Sequence, residues 1–176
     1  HLKGTFAPCH HAAVYWRNQQ KLTGEPVNAR LINTTSFSGL LGNIGQSNYG
    51  AAKAGIAAFT IITARELKRY GITVNAISPH AQTRMTESLR ERTPEEIALR
   101  HPRWIAAAAT WLASAESAEV TARVFELGGG FLAAMEGWHR GPQAEPIDNP
   151  NAIGPVMLDL ARRARRNADM RGNDLD

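Results

Sequence analysis

The chain has 176 residues, of which 43% are hydrophobic and 20% are charged, with a formal net charge of +4. This length and balance predict a soluble globular protein of one modest domain. No apolar run approaches the roughly 20 residues that span a bilayer, so we predict no membrane partner. The one cysteine, Cys9, excludes an internal disulfide framework and fits a reducing compartment, which we predict to be the cytoplasm.

Helical and β patterns alternate along the chain. This alternation predicts an α/β fold with right-handed crossovers and a parallel sheet covered by helices on both faces. In chain order, we predict a helix over 1–22, a strand over 29–34, a Gly- and Ser-rich loop over 36–48, a helix over 49–69 and a strand over 72–78 that Pro79 stops. A polar loop over 83–101 with a short helix from about residue 94, a helix over 103–114, a last strand over 123–127 closed by three glycines, and a helix over 154–166 complete the prediction.

Three residues in one short stretch, Ser36, Tyr49 and Lys53, suit proton transfer. Tyr49 and Lys53 are four residues apart and share one helix face, where an ammonium favours the phenolate form of its neighbour. Ser36 follows a predicted strand, and a loop can return its hydroxyl to the phenol. The pattern predicts tyrosine as acid or base, lysine as its tuner and serine as a donor that orients substrate. An ordinary amphipathic helix with a surface lysine and an interface tyrosine is the competing interpretation.

The surrounding motif is Asn33-x-x-Ser36 followed by Gly42-x-x-Gly-Gln-x-Asn-Tyr49-x-Ala-Ala-Lys53. This motif closely resembles the short-chain dehydrogenase/reductase family. The resemblance implies hydride transfer between NAD or NADP and a secondary alcohol or ketone. It assigns catalysis to Ser36, Tyr49 and Lys53, and cofactor contacts to Thr34, Tyr49 and Lys53, with Lys53 bonded to the nicotinamide ribose.

The loop after the strand over 72–78 is the second candidate site, because ligands of open α/β sheets bind beyond the carboxyl ends of strands. In the resembled family this loop reads Pro-Gly and grips the nicotinamide carboxamide. The resemblance therefore assigns cofactor contacts to Pro79, His80, Ala81, Gln82 and Thr83, although His80 stands where glycine is usual and the threonine comes one position early. A plain surface loop is the alternative.

The shortened loop resembles one subgroup, the (3R)-hydroxyacyl-CoA dehydrogenase part of peroxisomal multifunctional enzyme type 2 and its bacterial relatives. That likeness implies a 3-hydroxyacyl or 3-oxoacyl thioester as the small-molecule substrate. A 3-oxoacyl carrier-protein reductase and an unrelated alcohol dehydrogenase remain alternatives. The resemblance also implies that residues 84–101 form a mobile substrate lid, and that the helices over 1–22 and 49–69 pair in a homodimer or homotetramer.

The resemblance covers residues 1–140 and leaves 141–176 as a C-terminal extension. Residues 1–140 correspond to the C-terminal half of a Rossmann-like doubly wound domain. The N-terminal βα units, with their Gly-rich phosphate loop and the residue that selects NAD or NADP, have no counterpart in the sequence. We therefore expect a piece of a longer enzyme. A noncatalytic homologue that serves as a binding or assembly module is the alternative function.

Several other features have two interpretations. His1 stands where the family has asparagine in a proton relay, and either serves that relay or belongs to a disordered terminus. The arginines of 162–166 suit nucleic acid or a solvated helix end; we favour the helix end and predict no nucleic-acid partner. Cys9, His10 and His11 are adjacent and have poor spacing for ligands, so we predict no metal site. We predict that the four tryptophans, residues 16, 104, 111 and 138, pack in the core or at interfaces.

Overall fold

The structure is a computed structural model that describes residues 1–83 and 92–175. Its chain forms two compact units, His1–Met135 and Glu136–Asp176. The first unit contains α1 (Leu2–Thr23), β1 (Ala29–Thr34), a π-helical turn (Ser38–Gly42), α2 (Ser47–Leu67), β2 (Ile72–Pro79), α3 (Pro94–Leu99), α4 (Arg103–Ala113), β3 (Val124–Gly128) and β4 (Phe131–Ala134). Short 3-10 turns follow α2 and α4, at Lys68–Tyr70 and Ala115–Ser117.

The described strands form one sheet in the order β1-β2-β3-β4. β1 and β2 are parallel, with a register that runs from Ala29 opposite Ile72 to Thr34 opposite Ile77, and β2 and β3 are also parallel. Helices connect each of these parallel pairs, which confirms the predicted α/β fold. β4 returns antiparallel to β3, so the prediction that the strand over 123–127 is the last one was wrong.

Alternate residues of each strand point to opposite faces of the sheet, and each face has its own core. On one face, Ala29, Ile72 and Val74 pack with Ala64 and Leu67 of α2, and α1 adds half-buried side chains there. The other face carries Ile77 of β2 and Leu127 of β3, which pack against Leu112 of α4. The sheet is therefore covered on both sides, as predicted.

Small side chains allow α2 to lie close to the sheet. Ala57 and Ala64 are buried, and the helix turns into Gly71, whose φ of 79° is the left-handed conformation that suits glycine. A Cβ at Gly71 would stand 2.8 Å from the Pro26 Cβ. α2 begins at Ser47, two residues earlier than predicted, and Ser38–Gly42 is a π-helical turn, so the predicted loop over 36–48 was only partly right.

Other predictions need smaller corrections. β2 runs through Pro79, which is its last residue. Trp16 packs against the core, whereas Trp104 and Trp111 are 41% and 42% exposed and Trp138 is fully exposed, so core packing holds for Trp16 and packing at an interface stays a prediction for the other three. The short helix predicted near residue 94 is α3. Residues 84–91 of the predicted lid lie outside the described residues.

The second unit contains α5 (Ile153–Arg163), and none of its described residues, 136–175, is buried. Its arginines make local contacts: Arg163 pairs with Asp159 at 2.8 Å, Arg165 approaches Asp174 at 3.4 Å, and Arg166 donates to the Leu175 carbonyl. Across residues 1–83 and 92–175, every helix is too short or too polar to cross a membrane.

Candidate active site

Lys53 lies on the sheet side of α2, is 8% exposed and approaches the end of β1. Its Nζ donates a hydrogen bond of 2.9 Å to the Thr34 carbonyl and stands 5.7 Å from the centroid of the Tyr49 ring. Tyr49 is half-buried one turn earlier on the same helix face. The structure therefore brings the ammonium beside the phenol ring, as their spacing predicts.

The segment after β1 is packed against α2 by its main chain. Thr35 is buried and its Oγ1 donates to the Lys53 carbonyl at 2.6 Å. Gly39 has no room for a side chain, because a Cβ there would stand 2.5 Å from the Ala54 nitrogen and 2.7 Å from the Gly50 carbonyl oxygen. This close approach fixes the segment that carries Ser36 relative to the helix that carries Lys53.

Ser36 itself is 6% exposed. Its Oγ accepts a hydrogen bond of 3.2 Å from the Ser38 nitrogen, and its carbonyl accepts one of 2.9 Å from the Gly39 nitrogen. A hydroxyl has one proton and two acceptor lone pairs, so accepting from Ser38 leaves the proton available for a substrate oxygen. The local turn thus occupies one acceptor position of this hydroxyl and does not use its proton in a hydrogen bond to the described residues.

The loop over 79–83 leaves the sheet beside the Ser36 segment. The His80 nitrogen donates to the Leu127 carbonyl at 2.7 Å, and the Gln82 nitrogen donates to the Arg100 carbonyl at 2.8 Å. The Thr35 nitrogen donates to the Ile77 carbonyl, and the Phe37 and His80 rings lie 4.1 Å apart. Both predicted site segments therefore meet at the carboxyl edge of β1 and β2, where ligands of such sheets bind.

The remaining members of the predicted set lie along the same edge. The side chain of Thr34 is exposed there, and its carbonyl holds Lys53. Ala81 is half-buried and Thr83 is exposed. The exposed His1 ring stands edge-on to the Tyr49 ring, with centroids 5.1 Å apart, so it lies beside the site.

Two features of this edge suit a nicotinamide cofactor. Gln82 has a buried Oε1 with no hydrogen-bond partner among the described residues, and an acceptor of this kind matches an amide NH₂. Lys53 uses one of the three N–H groups of its ammonium on Thr34, which leaves donors for a hydroxyl-bearing ligand. The donor and acceptor set therefore fits a ribose and a carboxamide.

Comparisons with known proteins agree with this geometry. A family model described as enoyl-(acyl carrier protein) reductase matches residues 1–132, three quarters of the chain. The chain belongs to the short-chain dehydrogenase/reductase family. It is 43% identical over 130 residues to the hydroxyacyl-CoA dehydrogenase ChsB1 of Mycobacterium tuberculosis, a match that covers 71% of this chain and 41% of that protein. It is 36% identical over 139 residues to the (3R)-3-hydroxyacyl-CoA dehydrogenase of mouse, covering 74% of this chain and 51% of that protein.

A solved structure of a short-chain dehydrogenase from Mycobacterium avium superposes with a TM-score of 0.82 at 43% identity, and covers 96% of this chain and 55% of that one. This match confirms the predicted Rossmann-like fold of the short-chain dehydrogenase/reductase family. The chain spans about half the length, or less, of the relatives named here.

Several side chains at this sheet edge were not predicted from the sequence. Glu126 of β3 and Phe131 of β4 both contact His80, and Phe37 packs on the same ring. A signal for β4 was present, since two glycines between apolar runs are typical of a two-residue hairpin loop. Glu126 carried no such signal, because 46 residues separate it from His80.

The Cys9-His10-His11 run is divided between the interior and the surface. The buried Cys9 thiol donates to the Asn33 Oδ1 at 3.2 Å, and burial raises its pKa above the ordinary value. His10 instead stacks on Phe6 with ring centroids 5.6 Å apart. Among residues 1–83 and 92–175, no group of three or more His, Cys, Asp or Glu side chains is placed to hold a metal ion.

Proposed function

We propose that the protein is an NAD- or NADP-dependent oxidoreductase that interconverts a secondary alcohol and a ketone. The observation that carries the proposal is the placement of the Lys53 ammonium 5.7 Å from the Tyr49 ring, at the sheet edge that also carries Ser36. A bound nicotinamide supplies the hydride acceptor or donor, and the Ser36, Tyr49 and Lys53 side chains supply proton transfer and orientation.

In the direction of oxidation, the Tyr49 phenolate accepts the proton of the substrate hydroxyl. The positive charge of Lys53 stabilises that phenolate, and the Thr34 carbonyl holds the ammonium in place. Ser36 donates a hydrogen bond to the substrate oxygen and keeps it near the phenol. In the reverse direction, Tyr49 returns its proton to the forming alkoxide.

The cofactor contacts of this proposal involve both segments of the sheet edge. Thr34, Tyr49 and Lys53 lie toward the ribose, and Pro79 to Thr83 toward the carboxamide. Within the loop, we propose Gln82 as the main contact of the carboxamide, because its buried Oε1 lacks a partner in the described part of the chain.

For the substrate, we propose a 3-hydroxyacyl or 3-oxoacyl thioester. The support is the pair of relatives named hydroxyacyl-CoA dehydrogenases, which are 43% and 36% identical to this chain. The shortened loop after Pro79 resembles the same subgroup. An acyl carrier-protein thioester is the near alternative and is tested beside the coenzyme A thioester.

The test follows absorbance of reduced nicotinamide at 340 nm with the full-length protein, each cofactor and 3-hydroxyacyl-CoA. Tyr49→Phe should lower kcat by about 10²–10⁴-fold, because it removes the acid/base group. Tyr15→Phe is the matched control, since Tyr15 is 60% exposed on α1 and should behave as wild type.

Two outcomes would count against this function. If wild type binds nicotinamide but turns over no hydroxyacyl or oxoacyl thioester, the noncatalytic binding module becomes the better description. If Tyr49→Phe retains most of the activity, Tyr49 is not the proton-transfer group. Cofactor binding, measured by energy transfer from tryptophan to NADH, separates these cases from a simple loss of folding.

We also propose that a second copy of the chain covers an apolar groove between α1 and α2. The groove has a volume of about 650 Å³, and Leu2, Phe6 and Ile62 are 43–55% exposed around it. The small residues Gly55 and Ala58 line its floor and allow close helix packing. Burial of this surface explains why the exposed faces of these two helices are apolar.

Sedimentation equilibrium of the full-length protein tests the pairing. Ile62→Glu should weaken the dimer by at least tenfold in Kd, because it buries a charge. Leu22→Glu, on α1 but outside the groove and 80% exposed, should leave the Kd unchanged. A wild-type protein that is monomeric at every concentration would overturn the pairing.

A further inference from the structure

Four side chains form a cluster beside the end of β2: Phe37, His80, Glu126 of β3 and Phe131 of β4. His80 is at its centre, with its Nε2 2.7 Å from the Glu126 Oε1. The Phe37 ring lies against one side of the imidazole, with centroids 4.1 Å apart and a tilt of 33°. Phe131 approaches edge-on at 5.0 Å. The His80 ring is therefore restrained by three neighbours from three different parts of the chain.

The pair formed by His80 and Glu126 is shielded from solvent, with side chains 16% and 12% exposed. A carboxylate in such a position is costly unless it is paired, and His80 is the partner that it contacts. An ionised carboxylate only accepts hydrogen bonds, so opposite that form of Glu126 the His80 Nε2 is the donor. The bond fixes the plane of the imidazole as well as its position.

The main chain of His80 is also fixed. Its nitrogen donates to the Leu127 carbonyl at 2.7 Å, which extends the pairing of β2 with β3 by one residue. The His80 Cβ lies only 3.2 Å from where a Cβ of Gly128 would be, so backbone and side chain are closely packed there. The imidazole is thus a rigid surface anchored to β3, and Phe37 rests on it.

Phe37 links this surface to the proton-transfer site because it lies between Ser36 and Ser38. The Ser38 nitrogen holds the Ser36 Oγ, so a shift of Phe37 moves the donor and the acceptor of that hydrogen bond together. A displacement of about 1 Å at a reacting group can lower a rate by about 100-fold. Contact between Phe37 and His80 therefore affects the position of the Ser36 hydroxyl, which the proposed function places on the substrate oxygen.

We propose that His80 is a positioning residue that holds the Ser36 segment at a fixed distance from the loop over 79–83, with Glu126 holding the imidazole. This inference rests on the function proposed above. Glycine, usual here in the resembled family, has no side chain to fill this role. His80 therefore gives this chain a side-chain link between the substrate donor and the cofactor loop.

Four variants of the full-length protein test the link. His80→Gly removes the ring and the bond, His80→Phe keeps a ring but leaves Glu126 unpaired, His80→Gln keeps a donor for Glu126, and Glu126→Gln keeps an uncharged acceptor for His80. We expect His80→Gly to lower kcat by about 10–100-fold, with a smaller change in the KM for nicotinamide. Glu126→Gln should retain most of the wild-type activity, and His80→Gln and His80→Phe should each retain part of it.

Hydrogen exchange of the segment over 36–40, followed by mass spectrometry, gives a readout that needs no turnover. His80→Gly should accelerate exchange of the Ser38 and Gly39 amides, whose acceptors are both on Ser36. Gly71→Ala is the control for lost stability alone, because it strains the opposite end of β2. It should lower the melting temperature while kcat, measured well below that temperature, stays near that of wild type.

The outcomes separate the two proposals. Wild type without turnover, but with faster exchange in His80→Gly, removes the proposed function and retains the positioning role. Unchanged exchange and unchanged kcat in a folded His80→Gly overturn the positioning role. Equal losses of kcat in His80→Gly and Gly71→Ala also overturn it, since the effect then follows stability. If His80→Gly does not fold, the same exchange and kcat comparison between His80→Phe and Gly71→Ala decides.

Discussion

The two halves of the candidate active site are built in different ways. The half that contains Ser36, Tyr49 and Lys53 comes from residues 34–54, and its main-chain contacts join parts of the chain close in sequence. The half that contains the loop over 79–83 depends on Arg100, Glu126, Leu127 and Phe131, which are 18–51 residues away from their partners in the loop. The proton-transfer half is thus set mainly by contacts within its own stretch of chain, with Phe37 on His80 as its link to the loop, whereas the cofactor loop is set mainly by residues of β3 and β4.

The largest effect should come from a methyl group added to the half that contains Ser36, Tyr49 and Lys53. Gly39→Ala places a Cβ against the main chain of α2, which cannot yield as a flexible side chain can. Overpacking of this kind costs about 1–3 kcal/mol, and the melting temperature should fall by roughly 5–10 °C. Calorimetry measures this change.

Gly4→Ala is the control for that experiment, because the position is on α1 and has nothing within 4 Å of the added methyl. Its melting temperature should stay the same or rise slightly, since alanine favours a helix. Equal melting temperatures for Gly39→Ala and wild type would show that the Ser36 segment is not packed on α2 as described.

A glycine-to-alanine change in the half that contains the loop over 79–83 should disturb only the segments that hold the loop in place. Gly129 donates to the Leu99 carbonyl, and a Cβ there would collide with that oxygen and with the Trp104 indole. We expect Gly129→Ala to release the Leu99 segment and to accelerate exchange of the Gln82 amide, which bonds to Arg100, by at least tenfold. Gly130→Ala, with open space around it, should leave that exchange unchanged.

A smaller effect on the free energy of unfolding should distinguish a buried hydroxyl that makes a hydrogen bond from one that makes none. Thr35→Val removes the hydrogen bond to the Lys53 carbonyl and should cost about 1 kcal/mol or somewhat more, because that oxygen is left in the interior. Thr73→Val is its match, since the Thr73 hydroxyl is buried without a partner among the described residues. Its free energy of unfolding should be unchanged or higher, and denaturant unfolding of both variants compares them.

The same contrast explains what could be predicted from the sequence. Spacing within one helix placed Tyr49 beside Lys53, and the strand before Ser36 placed its hydroxyl at the sheet edge, so the local half was predictable. The partners of His80 were not, because no local pattern connects position 80 with position 126. The loop expected over 36–48 was partly wrong, because its glycines allow a π-helical turn and close packing on α2 as well as an irregular loop.

β4 was missed for a related reason. Its residues, Phe131–Ala134, are all apolar and include two alanines, so neither β propensity nor alternation identified them. The three glycines before them were interpreted as the end of the last strand, although Gly129 and Gly130 form the two-residue loop of a hairpin. The error matters for function because Phe131 is the outer ring on His80.

The buried bond between Cys9 and Asn33 has a consequence for the orientation of α1. The Asn33 amide accepts from the thiol and donates to Thr60, so its two ends are used in only one orientation. A slip of α1 by one residue would turn the helix by about 100° and present Pro8 or His10 in place of Cys9. Proline has no side-chain donor, and histidine is much larger than the thiol. Together with the packing of Ala13 and Trp16 on the core, this bond therefore favours one rotation of α1 about its axis, and with it one angle at which His1 meets the Tyr49 ring.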